Sequence, residues 1–191
     1  AKTNGDQHIV IAAKSGRAIH FHESAVRPMG RTATGVKAIT LTDKEDYVIG
    51  MVCASEPNAT LLVVSEKGYG KRTYLNDPED QEPVYRITNR GGKGVKTLNI
   101  TDKTGKLVAI KDVTDSNDLM IITKAGILIR IAVADLRVMG RNTQGVKLIR
   151  LKNESDEISS VTKIVKEPEE IQGVDPEAVE NNDSDESVSA E

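Results

Sequence analysis

Residues 30–41 read Gly-Arg-Thr-Ala-Thr-Gly-Val-Lys-Ala-Ile-Thr-Leu, and residues 140–151 repeat the pattern as Gly-Arg-Asn-Thr-Gln-Gly-Val-Lys-Leu-Ile-Arg-Leu. Between them, residues 89–100 read Asn-Arg-Gly-Gly-Lys-Gly-Val-Lys-Thr-Leu-Asn-Ile. We call these stretches the three glycine-loop copies. Each copy ends in alternating apolar residues, which is typical of a strand with one buried face. Self-similarity at intervals of roughly fifty residues indicates a repeat architecture.

Basic residues recur at the same places in every copy. One stands eight residues before the glycine that precedes the valine, one follows the first residue of the copy, and one follows the valine. A hydrophobic core has no need of arginine at fixed points of a glycine-rich loop, so the pattern favours an anionic partner. Pairing of some arginines with acidic neighbours, as bridges between repeats, is the alternative. The nine residues are Arg27, Arg31, Lys37, Arg86, Arg90, Lys96, Arg137, Arg141 and Lys147.

Each glycine-loop copy lies between a predicted hairpin and a further apolar strand. The hairpins consist of two apolar runs around Gly16, Gly68 or Gly126, since glycine supplies the positive φ of a tight turn. The copy itself supplies a third strand, and residues 47–53, 107–113 and 158–165 supply a fourth. Four antiparallel strands per repeat predict an all-β, propeller-like array of three blades. The blades span about residues 8–58, 59–117 and 118–166, with single helical turns at most in residues 24–29 and 134–139.

Charge divides the chain into a basic body and an acidic tail. Residues 167–191 contain ten acidic and no basic residues, whereas residues 1–166 hold 26 basic and 19 acidic side chains. The tail is predicted to be disordered, and as a tethered polyanion we expect it to compete with DNA for the body. Tryptophan is absent and phenylalanine occurs once, which disfavours single-strand binding on stacked bases. Duplex backbone is therefore the favoured partner of residues 1–166.

No catalytic, metal or membrane motif is found. His20 and His22 lie two apart on a predicted strand, but no further histidine or cysteine pair completes a ligand set, so metal binding is disfavoured. Each hairpin glycine is followed four residues later by His20, Arg72 or Arg130. This alignment indicates that His20 is a variant of a basic surface position. We expect no catalysis and no cofactor in this segment. The single cysteine, Cys53, fits a reducing cytoplasm, and no apolar run is long enough to cross a bilayer.

Taken together, these motifs resemble the C-terminal domain of the DNA gyrase A protein. The resemblance is carried by residues 29–36 and 140–146, by the run Lys-Gly-Tyr-Gly-Lys-Arg-Thr at residues 67–73, and by the acidic tail. It implies a β-pinwheel, of which this chain is similar to the last three blades. Residues 90–94 also share Arg-Gly-Gly-Lys-Gly with the family's seven-residue box, although that box belongs to an earlier blade.

The resemblance implies duplex DNA wrapped around a basic perimeter in support of ATP-dependent negative supercoiling. It implies a cytoplasmic, nucleoid-associated complex of two A and two B subunits, in which ATP and magnesium act outside this segment. Two alternatives stay open: a topoisomerase IV A subunit whose domain steers substrate choice, and a propeller-like protein-interaction scaffold. We expect the nine recurrent cations to contact phosphate. The same is expected of four further cations, Lys71, Arg72, Lys93 and Arg130.

Overall fold

The computed structural model describes residues 1–54, 59–153 and 155–165. The predicted all-β class is confirmed, because the described residues form eleven strands and only two single helical turns. The strands are β1 (His8–Ala13), β2 (Arg17–His22), β3 (Val48–Ala54), β4 (Thr60–Ser65), β5 (Tyr69–Tyr74), β6 (Val95–Lys96), β7 (Leu107–Val113), β8 (Asn117–Thr123), β9 (Leu128–Ala132), β10 (Val146–Lys147) and β11 (Ile158–Val165). The predicted acidic tail, residues 167–191, lies outside the described residues.

The three predicted hairpins are β1–β2, β4–β5 and β8–β9, each antiparallel. Their turn glycines, Gly16, Gly68 and Gly126, have φ values of 79°, 80° and 82°, a left-handed conformation that other residues adopt only with strain. The predicted fourth strands are also confirmed as β3, β7 and β11, which pair with β1, β4 and β8. Single helical turns occupy Glu23–Ala25 and Val133–Asp135, close to the predicted positions.

The third strand of each repeat differs from the prediction. In the second and third repeats it is only two residues long and joins the sheet of the preceding repeat: β6 pairs with β2, and β10 pairs with β5. The first glycine-loop copy contains no strand, so the third strand predicted for the first repeat was wrong. The sheet orders are β3-β1-β2-β6, β10-β5-β4-β7 and, among the described strands, β11-β8-β9. The apolar residues read as strand ends, such as Leu98 and Ile149, are buried beside these short strands without belonging to them. Strand exchange therefore links neighbouring blades.

The blades stack face to face on two buried cores. Along β4, Leu61 and Val63 pack towards the first sheet, whereas Leu62 and Val64 pack towards the third, so the middle blade is buried on both faces. Strand β7 contacts both β3 and β11, which makes these three the inner strands of the array. The exchanged strands β6 and β10 lie at the opposite ends of their sheets and form the outer edge. The second and third glycine-loop copies are thereby placed on the perimeter.

Candidate nucleic-acid interface

Two glycines allow the exchanged strands to approach the preceding blade. Gly94 has φ +66°, and a Cβ built there would lie 2.4 Å from the carbonyl oxygen of Ala18 on β2. Gly145 has φ +75°, and its Cβ would lie 2.5 Å from the carbonyl oxygen of Gly70 on β5. Both distances are far inside van der Waals contact with backbone, so any side chain would displace the strand. The glycine before each valine thus positions the following lysine, Lys96 or Lys147, at the outer edge.

Arg90 and Arg141 hold the glycine-loop copies to the preceding repeat. Arg90 donates from Nε to the Ala25 carbonyl at 2.9 Å and from a terminal nitrogen to the Lys37 carbonyl at 3.2 Å. Arg141 makes the corresponding bonds to Val84 and Lys96, at 3.1 and 2.8 Å. Both arginines are half-buried. The sequence alternative of arginine bridges therefore has a structural counterpart, but the acceptors are carbonyl oxygens and not carboxylates.

Lys71 is fully buried and organises the third glycine-loop copy. Its Nζ donates to the Gly140 carbonyl at 2.7 Å, to the Arg141 carbonyl at 2.5 Å and to Thr143 Oγ1 at 3.0 Å. Burial, together with the nearby charge of Arg141, lowers the pKa of Lys71 to about 8. With no exposed surface, this ammonium is placed to hold the loop and not to meet a ligand, unlike the surface position expected from the sequence.

His20 and Arg72 share one structural task, in agreement with their alignment. His20 Nδ1 lies 2.6 Å from the Tyr85 carbonyl oxygen, and Arg72 Nε donates to the Leu136 carbonyl at 3.0 Å. Both acceptors belong to the segment that enters the next glycine-loop copy. Both side chains are buried, so the expectation of a surface position was wrong for these two. Arg72 also forms an ion pair with Asp115.

Histidines gather at the edge of the first sheet. His20 Nε2 lies 2.9 Å from His8 Nδ1, and His22 Nε2 lies 3.1 Å from Asp6 Oδ1. Burial lowers the pKa of His20, against the opposing effect of its bond to Tyr85, with a further lowering from His8. The described part of the chain contains no group of three or more histidine, cysteine, aspartate or glutamate residues arranged to hold a metal.

Arg130 remains exposed at the third aligned position. Its Nε donates to Asp118 Oδ2 at 2.7 Å, and a terminal nitrogen lies 2.6 Å from the same oxygen. Since the carboxylate neutralises the guanidinium, Arg130 is less available to a second anion than an unpaired arginine.

Most of the remaining predicted cations are exposed and uncommitted. Within the described ranges, none of these side chains is recorded in an ion pair or as a hydrogen-bond donor. Apart from the contact of Lys147 with the ring of Tyr69, desolvating these groups against a phosphate breaks no recorded side-chain interaction in the described residues. The set comprises Arg27, Arg31, Lys37, Arg86, Lys93, Lys96, Arg137 and Lys147. The structure thus divides the sequence-predicted cations into this exposed set, the exposed but paired Arg130, and a structural set, Lys71, Arg72, Arg90 and Arg141.

Sequence reasoning did not single out a further group of cations. Lys67, Lys103 and Lys152 join Lys147 around one recess beside Tyr69. They come from three separate segments of the chain, Lys67, Lys103 and the pair Lys147 and Lys152, and no repeat spacing connects these segments. Only the fold brings them together.

The fold and the outer edge define a class of strand-exchanged, propeller-like blade proteins with cations along the perimeter. The family model for the DNA gyrase C-terminal domain, beta-propeller, matches residues 7–55, 59–77, 84–114 and 117–164. The chain therefore belongs to the DNA gyrase C-terminal domain family.

Individual relatives agree with this family. The DNA gyrase A protein of Staphylococcus aureus strain MRSA252 is 46% identical over 168 residues, which is 88% of this chain and 18% of the relative. A solved gyrase A C-terminal domain superposes with a TM-score of 0.72 at 24% identity, covering 85% of this chain and 52% of that one. A topoisomerase IV C-terminal domain gives 0.75 at 22% identity, covering 85% and 48%. The two structural likenesses show the fold alone and do not separate the two families.

Proposed function

We propose that this chain is a non-catalytic, DNA-wrapping segment of a gyrase A protein. The observation that carries the proposal is the recurrence of exposed cations with each glycine-loop copy, of which Lys96 and Lys147 lie on the exchanged strands at the outer edge. Lysine and arginine side chains that displace condensed counterions from phosphates supply affinity without reading sequence. A row of such contacts around stacked blades fits a duplex that bends as it follows the edge.

The proposed mechanism is mechanical. Bending a duplex of 20–30 base pairs through 40–90° costs on the order of 1–6 kcal/mol, which contacts along the curved edge must offset. Structural residues such as Arg90 and Lys71 contribute by holding the loops in place before DNA arrives. The loops therefore lose their conformational entropy during folding and not during binding. The bent duplex would present DNA crossings of a single sign to a strand-passage centre elsewhere in the complex.

The chain spans about a fifth of the length of the curated relatives it matches. Supercoiling, the assembly of two A and two B subunits, and the use of ATP and magnesium are accordingly proposals about the whole protein. A cytoplasmic, nucleoid-associated location is part of the same proposal. Of the helices in the described residues, none is long and apolar enough to cross a membrane.

A topoisomerase IV A subunit is the second candidate, supported by the equally good superposition on that domain. The curated relatives favour gyrase, since they are gyrase A proteins at 46% identity. Supercoiling by the parent protein with and without this segment separates the two: loss of negative supercoiling on deletion supports gyrase.

Duplex binding tests the proposal directly. With roughly six phosphate contacts, log affinity plotted against log salt should have a slope near about −5, equal for duplexes of unrelated sequence. Fluorescence anisotropy across a salt series measures the slope. Wrapping is then read from the linking number of a nicked circle religated with the chain bound. Affinity that does not respond to salt would overturn the proposal, as would the absence of duplex binding, which is the result expected for a protein-interaction scaffold.

A further inference from the structure

A basic recess opens at the outer edge of the second blade, beside the β4–β5 turn. It measures about 510 Å³. Its walls come from that turn, from the loop before β7, and from the strand exchanged out of the third repeat with the residues that follow it. The lining residues are Lys67, Tyr69, Lys103, Lys147, Leu151, Lys152 and Asn153.

The recess concentrates positive charge among its described lining residues. Lysines contribute four of its seven lining residues, and no carboxylate is among the seven. In the described part of the chain, no ion pair is recorded for any of these lysines. Lys67 Nζ donates to the main-chain carbonyl of Asp102 at 2.6 Å, which ties the turn to the neighbouring loop. Four ammonium groups held around one concavity repel one another, and an anion relieves that repulsion.

Tyr69 fixes two of these ammonium groups. Lys103 Nζ lies 5.7 Å and Lys147 Nζ 5.8 Å from the centroid of its ring. Cations within about 6 Å of an aromatic face are attracted by the ring quadrupole. Lys147 is also the direct cross-strand partner of Tyr69 in the β5–β10 pair. The ring therefore limits the freedom of two long side chains and reduces the entropy lost when an anion binds.

The repeat pattern does not account for this charge. At the matching edge of the first blade, Ser15 stands for Lys67 and Thr101 for Lys152, while Asp102 stands for Asn153. Two lysines are thus absent there and one acid is added, while Arg17 stands for Tyr69, so the first edge carries three cations and one acid against four cations here. The lysine after the valine and the lysine at 103 do have counterparts, Lys96 and Lys44. Excess charge is specific to the edge between the second and third repeats.

We propose that this recess binds backbone phosphates of the duplex and is the strongest phosphate contact of the chain. Lysine binds phosphate as a flexible point charge and reads no base, which suits DNA held regardless of sequence. The recess adjoins the third glycine-loop copy, so a duplex on the outer edge passes over it. This inference rests on the proposed wrapping function and adds that the phosphate contacts along the edge differ in strength.

A pair of charge-matched variants tests the recess in the full chain. Lys103→Gln with Lys152→Gln removes two exposed recess lysines whose side chains form no recorded hydrogen bond in the described residues. Lys2→Gln with Lys111→Gln removes one exposed lysine near the start of the chain and one half-buried lysine on the inner strand β7, with the same change in net charge. The recess variant should weaken duplex binding about tenfold or more at 0.1 M salt and reduce the salt slope by about 1–2. The control should change both much less.

Acylation of lysines in the unmodified chain, followed by mass spectrometry, supplies an independent measurement. Duplex DNA should slow the reaction of Lys103, Lys147 and Lys152 while leaving Lys2 unaffected. Equal losses of affinity in the two variants would overturn the inference, even where the wild-type salt slope upholds the proposed function. Recess lysines that are protected before DNA is added, with no change afterwards, would show that the chain's own acidic residues occupy the recess, and would likewise overturn it.

Discussion

Replacing Arg90 with alanine should destabilise the fold, although Arg90 stands among cations that the sequence assigns to DNA. The change removes two hydrogen bonds from one guanidinium, to the carbonyls of Ala25 and Lys37 at 2.9 and 3.2 Å. Hydrogen bonds that involve a charged group contribute about 1.5–3 kcal/mol each when sheltered, and less when exposed to water. Since Arg90 is half-buried and its second bond is exposed, we expect a loss of about 2 kcal/mol.

Lys93→Ala is the matched control for this change. Lys93 lies three residues along the same loop, is exposed, and makes no recorded hydrogen bond within the described ranges. Its removal should alter stability by less than about 0.5 kcal/mol while weakening duplex binding. For a chain of this size, 2 kcal/mol corresponds to a fall in Tm of about 4–8 °C.

Urea unfolding followed by circular dichroism, together with DNA anisotropy, measures both effects. Arg90→Lys should recover only part of the stability, because an ammonium cannot reproduce the planar fork of a guanidinium. If Arg90→Ala unfolds at the same urea concentration as Lys93→Ala and loses DNA binding to the same extent, the arginine is a DNA contact and the structural assignment is wrong.

Two further predictions concern the fold around the interface. Gly94→Ala should lower the free energy of unfolding by more than about 2 kcal/mol, because the new methyl group would lie 2.4 Å from the Ala18 carbonyl oxygen at a φ of +66°. Gly30→Ala, which has nothing within 4 Å of its Cβ, should lower it by less than about 1 kcal/mol, and equal urea midpoints for the two variants would contradict this prediction. Burial tends to raise the pKa of Asp46, but hydrogen bonds from Thr42 and Ser15 outweigh burial and lower it to about 2. This depressed carboxyl contributes stability above its unfolded pKa near 3.8 that is lost as pH falls towards 2, so Asp46→Asn should be destabilised by about 2 kcal/mol at pH 6 and progressively less below pH 4. A difference from wild type that stays constant between pH 6 and pH 3 would refute the carboxylate's role.

The hairpins and inner strands could be predicted because their signals are local. A glycine at positive φ between two apolar runs, as at Gly68, specifies a turn whatever surrounds it. The exchanged strands could not be predicted from the same information. Val95–Lys96 looks like the start of a strand in its own repeat, and only the fit of Gly94 against Ala18 places it on the preceding blade.

The cations illustrate a second limit. Repetition identified Arg90 and Lys93 equally, because a residue that holds a repeated loop recurs as faithfully as one that meets a repeated ligand. The hydrogen-bond acceptors of a side chain distinguish the two roles. Those of Arg90 are main-chain carbonyls of the preceding repeat, more than fifty residues away in sequence. Lys71 shows the same limit, since its hydrogen-bonding partners in the third glycine-loop copy are about seventy residues away.

Strand exchange also determines where this protein can be divided. A cut at a repeat boundary, such as the one near residue 117, separates β5 from β10 and leaves the middle sheet with an open edge. Such an edge invites pairing with a second molecule, and hence aggregation or domain swapping. Because β4 and β5 lie between β3 and β6 in the chain, no contiguous segment contains the strands of one complete sheet and nothing else, so a cut between blades always leaves one sheet incomplete. A gene that gained or lost a blade by recombination would preserve every sheet only if both breakpoints fell at the same place in the repeat.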